Sequence, residues 1–223
     1  MCGRFTKEYT WSEVHAFLSM FTVDTPANDP EPAYNVAPTQ SAWVITPEGD
    51  HGLVEQMVWG LIPIWAKEPR IAYSTINARL ETIAEKPAFR GAWKAGRRCL
   101  VLASGYYEWP EAEQTKARKQ PYYIHQPESK VMVFGGIWEQ RRGDEPTFSI
   151  VTKDPDPVIA NMHDRMPLIL PPAMCWDWLT VKPDEAMGLA LAAPEPPLAF
   201  YKVDPAVGNV RNQGARLIQP LQV

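Results

Sequence analysis

Short apolar runs, separated by polar and proline-rich stretches, make up most of this chain. SAWVIT, LVEQMVWG, RRCLVLA, GYYEW, PYYIHQ, VMVFGGIW, TFSIVT and LAFYKV each read as a strand. Helical spacing is confined to a few places. In TWSEVHAFLSMF, Trp11, Val14, Leu18 and Phe21 recur on one face, and Thr10 with Glu13 forms a capping box ahead of them. His15 falls beside that stripe and reads as a structural histidine. RLETIAEKPAFRGAWKAG predicts a helix interrupted or restarted at Pro87. DPDPVIANM predicts a short helix begun by Pro157, and PPAMCWDWLT and PDEAMGLALAA predict two more. TVDTPANDPEPAYNVAPTQ and EAEQTKARKQ read as loops, PEGDHG as a turn containing His51, and the segment after LAFYKV as an irregular tail. Many short strands with peripheral helices predict an α+β fold on a mostly antiparallel sheet or barrel. No repeat, low-complexity tract or linker interrupts residues 1–223, so one domain is expected.

Composition narrows the classes. The chain is 45% hydrophobic and 22% charged, ordinary for a globular protein. No apolar run approaches the roughly 18 residues of a membrane span, and the start lacks a signal-peptide pattern. Three scattered cysteines, Cys2, Cys99 and Cys175, without CxxC spacing exclude a disulfide framework and suit a reducing cytosol. Cys99 and Cys175 lie in apolar surroundings and read as packing residues. His15, His51, His125 and His163 share no ligand spacing, so no metal is expected. Ser104 in LASGY is not in a GxSxG elbow. A net charge of −4 argues against a general nucleic-acid coat but leaves room for a local basic groove. Nine tryptophans exceed what a core of this size needs and leave some for stacking on a ligand.

Candidate chemistry begins at the second residue. If Met1 is removed, Cys2 carries an α-amine and a thiol on adjacent carbons, titrating near about 8 and about 8.5 in a free chain. Such a residue can act as a nucleophile with its own amine as base. It can also condense with an aldehyde, through an imine, to a thiazolidine; the bland alternative is a packed apolar cysteine. Asn77 and Arg79 end an apolar run in INARLET. Glu108 stands between Tyr107 and Trp109, where desolvation by aromatic neighbours raises a carboxyl pKa toward neutrality. His163 in NMHDRMPLIL follows a short helix, whose C-terminus favours the protonated imidazole.

MCGRF, YNVAPTQ, WGLIPIW, INARLET, SGYYEW, KQPYYI, GGIWE, MHDRMPLIL and VGNVRNQGARLIQP occur in that order from end to end. In this combination the chain resembles the SOS response-associated peptidase (SRAP) family. The resemblance implies one α+β domain around a distorted β-barrel-like core with peripheral helices. It implies a covalent crosslink to abasic sites in single-stranded DNA through Cys2 once Met1 is gone, with Asn77, Glu108 and His163 beside it. It further implies self-removal of Met1, some strand cleavage by β-elimination, no cofactor or metal, and a monomer in the bacterial cytoplasm, at the nucleoid when on DNA. Arg4, Arg79 and Arg165 are the candidates for flanking phosphates, since arginine pairs with them bidentately. Trp65, in LIPIWAKEP where some members have two adjacent tryptophans, is the candidate for stacking on DNA. Two rival readings are an N-terminal-nucleophile amidohydrolase of the glutamine amidotransferase type and a single-stranded DNA reader with an inert Cys2.

Overall fold

The fold is organised around RCLVLA, a strand buried on both faces. The structure is a computed structural model that describes residues 2–68, 75–110 and 119–221; most of the expected EAEQTKARKQ loop lies outside them. In chain order the strands are β1 (Phe5–Lys7), β2 (Val23–Asp24), β3 (Ala33–Val36), β4 (Ser41–Glu48), β5 (His51–Trp59), β6 (Asn77–Arg79) and β7 (Arg98–Ala103). They continue with β8 (Gly105–Glu108), β9 (Tyr122–His125), β10 (Met132–Glu139), β11 (Thr147–Lys153), β12 (Met166–Pro167) and β13 (Ala199–Lys202). The helices are α1 (Trp11–Phe17), α2 (Arg90–Lys94), α3 (Pro172–Thr180) and α4 (Pro183–Leu191).

One sheet runs β13-β9-β8-β1-β3, every neighbour antiparallel. The other runs β12-β11-β10-β7-β4-β5-β2, and β11 also pairs with β5. That last pairing closes a ring of β11, β10, β7, β4 and β5. Strand direction alternates at each antiparallel step, so a ring of odd number must contain a parallel junction. It falls at β5–β11, where Thr147 pairs with Val58 and Phe148 with Trp59. The structure is therefore the expected α+β fold, mostly antiparallel with a nearly closed ring of strands and few helices.

Strand alternation sorts β7 between two apolar clusters. Leu100 and Leu102 face the cluster that takes in α1, α2, α3 and α4, while Cys99, Val101 and Ala103 face the cluster that holds Cys2, Phe5 and Tyr106. This explains why RCLVLA is a continuous apolar run rather than an alternating one. The two sheets meet in the second cluster. Phe5 lies 5.1 Å from Trp59 and 6.2 Å from Phe134, centroid to centroid.

The expected capping box is present: Glu13 N donates to Thr10 Oγ1 at 3.2 Å, and Thr10 N donates to Glu13 Oε2 at 2.8 Å. The helix expected over RLETIAEKPAFRGAWKAG shrinks to a 3₁₀ turn at Leu80–Thr82 and the five-residue α2. Arg79 is held in β6 against Thr152, so the helix cannot start there, and Pro87 supplies no N–H to continue one. His51 is not in the turn but opens β5 opposite Glu48; the turn is Gly49–Asp50, with Gly49 at φ 63°. At Gly105 a side chain would collide with the Tyr123 ring, which lies 2.4 Å from the ideal Cβ position. Among the described residues no helix is long and apolar enough to cross a membrane.

Arg98, 1% exposed, ties α3 to the ring. Its Nε donates to the Trp178 carbonyl and its NH2 to the Val181 carbonyl, while the guanidinium sits 5.8 Å from the Trp93 ring and 5.9 Å from the Trp178 ring. It thus satisfies carbonyls at a helix C-terminus, where a cation is favoured. Arg98→Ala leaves those carbonyls unpaired and opens a void between two tryptophans. It should cost roughly 3 kcal/mol, read as a lower urea midpoint with an unchanged slope.

Candidate active site

β1 is an interior strand, with β3 on one side and β8 on the other. Phe5 pairs with Tyr106 and Thr6 with Gly105, and Tyr107 N donates to the Arg4 carbonyl at 3.0 Å. Continued one step further, this antiparallel register brings the start of the chain level with Glu108. Cys2 is therefore fully buried, at 0% exposure. Asn77, the first residue of β6, reaches it from the other sheet: its Nδ2 donates to the Cys2 carbonyl at 2.9 Å. The Cys2 thiol lies 3.9 Å from the Arg4 carbonyl.

Glu108 ends β8 and is 4% exposed. Burial, with a further push from the Asp164 carboxylate, raises its carboxyl to about 7 despite a hydrogen bond from the Trp109 backbone. The expected shift is present and has the expected cause, desolvation, but the flanking aromatics are not what supplies it. Strand alternation sends Tyr107 to the opposite face, where it packs with Tyr123 at 5.3 Å, Val203 and Leu217 and where Trp109 joins it. The residue on Glu108's own face is Tyr106, in the cluster that holds Cys2. Cys2 also departs from the free-chain expectation: burial, reinforced by the Glu108 charge, pushes its thiol well above the ordinary range. A free-cysteine value therefore does not describe it, and thiolate forms only if a neighbouring base accepts the proton.

His163 follows a 3₁₀ turn of three residues, Pro157–Ile159, too short for the helix-end field expected of it. Its Nδ1 lies 3.0 Å from the Arg165 backbone N–H and 2.6 Å from Asp164 Oδ1. The two contacts require opposite protonation. Neutral imidazole, with its proton on Nε2, accepts from Arg165, and imidazolium pairs with Asp164. The protonation state of the ring therefore follows which of these two partners it keeps. Met162 and Ile159 pack in the Cys2 cluster, which brings this loop to the same side of the molecule.

The three expected phosphate ligands divide. Arg165 is 7% exposed, and its guanidinium is bound by Glu81 at 2.9 and 2.8 Å, Asp154 at 2.6 Å and the Thr152 carbonyl at 2.7 Å. It anchors the His163 loop to β11 and to the turn after β6. Arg4 donates to Asn35 Oδ1 at 2.7 Å and to the carbonyls of Val207 and Gly208 at 2.8 and 3.3 Å, pinning the VGNVRNQ segment. Arg79 is exposed. Trp65 is 65% exposed with its Nε1 donating to the Pro87 carbonyl at 3.2 Å, and Ile64 beside it is 56% exposed. Two surface clefts of about 320 and 340 Å³ share no residue with the Cys2 site, and their acidic lining (Glu8, Glu13, Asp29, Glu31 and Glu128) repels phosphate. Among the described residues no group of three or more His, Cys, Asp or Glu is placed to hold a metal.

Sequence reasoning passed over Tyr106 and Asp156. Both are buried, and the charges of Glu108, Cys2 and Asp156 all act on the Tyr106 hydroxyl. The i, i+2 spacing of Tyr106 and Glu108 on a strand was the signal available for the first. Asp156, in a proline-rich turn, carried none.

A protein of solved structure from Bacteroides thetaiotaomicron has the same fold, with a TM-score of 0.79 at 24% identity over 99% of this chain and 100% of that one. The ring-closed α+β architecture is thus a recurrent one. Residues 1–210 match the family described as SOS response associated peptidase (SRAP), and the chain belongs to it. It is 34% identical to the abasic site processing protein YoaM of Bacillus subtilis, over 98% of this chain and 97% of YoaM. It is also 34% identical to the abasic site processing protein YedK of Escherichia coli, over 99% of this chain and all of YedK.

The buried carboxyl makes a stability prediction. Folded protein holds the Glu108 proton up to about pH 7, whereas the unfolded chain releases it near 4.5. The contribution is full below about pH 4.5 and is lost as pH rises through 7, by about 3 kcal/mol in all. Glu108→Gln should remove this slope and be more stable than wild type at pH 8. Urea midpoints of both proteins at pH 5 and pH 8 check it.

Proposed function

We propose that this chain processes abasic sites in single-stranded DNA by linking itself covalently to the exposed sugar through Cys2. The observation that carries the reading is the meeting of the Cys2 backbone, held by Asn77, with a buried carboxyl that titrates at about 7. The names of relatives 34% identical over nearly the whole chain support it. We further propose that residues 1–223 act as one domain and as a monomer in the cytoplasm, without metal or cofactor.

An abasic deoxyribose exchanges between a closed hemiacetal and an open aldehyde. In the proposed reaction the Glu108 carboxylate takes the proton from the C1′ hydroxyl while a His163 imidazolium, paired through Nδ1 with Asp164, gives its Nε2 proton to O4′, and the ring opens. The free amine of Cys2, available once Met1 is gone, adds to C1′ to give a carbinolamine. Glu108 protonates its oxygen, which leaves as water, and a protonated imine remains. The Glu108 carboxylate then accepts the thiol proton while sulfur bonds to C1′ and the C=N electron pair moves onto the protonated nitrogen, closing the thiazolidine. A carboxyl near 7 is populated in both forms at neutral pH, as a group that takes and gives protons in turn requires. The raised thiol makes the second transfer obligatory. Holding amine, thiol and aldehyde together supplies a large effective concentration. The reverse path releases the link, and β-elimination from the imine would cleave the strand. The peptidase in the family description corresponds to removal of Met1. Arg79 and Trp65 are the exposed groups offered to a flanking phosphate and a neighbouring base.

Incubation with an abasic single-stranded oligonucleotide should give wild type a slow, heat-resistant band on a denaturing gel. Cys2→Ala should give none, with its fold intact; equal bands would sink the covalent reading. Protein retaining Met1 by intact mass should bind but not crosslink, because an amide nitrogen cannot form an imine. Arg79→Ala should weaken binding to any sequence and lower the salt slope by about one, checked by fluorescence titration across salt concentrations.

A further inference from the structure

Among the described residues, three other buried tyrosines have paired hydroxyls. Tyr107 donates to the Tyr34 carbonyl at 2.7 Å, Tyr123 lies 3.0 Å from Thr6 Oγ1, and Tyr9 donates to the Leu102 carbonyl at 3.4 Å. Tyr106 is the exception. It is 0% exposed, its ring is seated edge-on to Phe134 at 6.0 Å, and its hydroxyl meets no hydrogen-bond partner among the described residues. A hydroxyl buried without a partner costs about 1–3 kcal/mol. Phenylalanine would fill the same ring site without that cost, so packing does not explain the oxygen.

Its surroundings do. Tyr106 shares the face of β8 with Glu108, belongs to the cluster that holds Cys2, and has Glu108, Cys2 and Asp156 as the ionisable groups acting on it. Two more buried polar atoms nearby are also unpaired among the described residues: Asn77 Oδ1 and Asp156 Oδ2. The Asn77 amide already holds Cys2 through its other end, and Asp156 already pairs with Lys153 at 2.8 Å through Oδ1. The free ends therefore belong to groups whose positions are fixed. Such a set is preorganised for a small ligand rich in oxygen, as a sugar without its base is.

We infer that Tyr106 is a further catalytic residue, whose hydroxyl donates a hydrogen bond to the oxygen on C1′ as the carbinolamine forms and collapses. The inference rests on the covalent reading above and adds a donor to it. Glu108 moves the protons; Tyr106 stabilises the charge that builds on oxygen between transfers. Burial and the nearby carboxylates hold the phenol well above its ordinary pKa, so it stays protonated and donates throughout the working range.

The test compares wild type, Tyr106→Phe and Cys2→Ala on one abasic single-stranded oligonucleotide, and on the same strand carrying a tetrahydrofuran analogue that has no aldehyde. Tyr106→Phe should crosslink about ten- to a hundredfold more slowly and bind the analogue with wild-type affinity. It should keep the pH inflection near 7 that Glu108 supplies, and melt at the same or a higher temperature. A rate within twofold of wild type would overturn the assignment. So would a slower rate accompanied by a lower melting temperature and weaker analogue binding, which marks a packing defect. If wild type binds the analogue yet never crosslinks the aldehyde strand, the covalent reading fails and this one falls with it.

Discussion

The 2.9 Å hydrogen bond from Asn77 to the Cys2 carbonyl joins the segment leading into β1 to a strand on the other sheet. β6 is three residues long and lies parallel to β11, and β11 closes the ring against β5. The backbone of Cys2 is thereby referenced to the most constrained part of the fold. From the other side, β8 brings Glu108 up through its pairing with β1. Position at this site comes from main-chain registers rather than from flexible side chains, and such a site tolerates little error in either sheet.

Burial then sets the electrostatics. With little water to screen them, the Cys2 thiol and the Glu108 carboxyl each resist ionisation, and the Glu108 charge makes the thiol's ionisation harder still. A pair of this kind passes one proton between its members more readily than it holds two charges. Arg165 shows a different arrangement: a buried cation matched by two carboxylates and a carbonyl. Beside Cys2, by contrast, the Tyr106 hydroxyl and one end each of Asn77 and Asp156 are left unpaired among the described residues, a tension expected where stability gives way to activity.

Much of this was legible in the residues, because short apolar runs and turn chemistry report locally. RCLVLA, VMVFGGIW and TFSIVT are the strands they read as, and Thr10 with Glu13 caps α1. The parallel closure of β5 on β11 was not legible, since no local pattern records which distant strand a run will meet. The same limit applies to the candidate site. Cys2, Asn77 and Glu108 stood out as polar residues in apolar context, but which face of β8 carries the acid's neighbours depends on the sheet. Arg4 and Arg165 carry the same charge as Arg79, and only their partners, Asn35 with Val207 and Glu81 with Asp154, distinguish an anchor from an exposed cation.

β1 is an interior strand although it stands near the beginning of the chain. Its pairing with β3 can form early, but β8 and the β11 partner of β6 are translated about a hundred and about a hundred and fifty residues later. At roughly 5–20 residues per second, Cys2 therefore stays accessible on the ribosome for on the order of ten to thirty seconds before the sheets assemble around it. An external aminopeptidase must act within that interval. Once the sheets have closed, Cys2 is buried and a bulky external enzyme no longer reaches it. Codon-dependent pauses late in synthesis would lengthen the window, so the state of the mature N-terminus becomes a record of translation kinetics as well as of sequence.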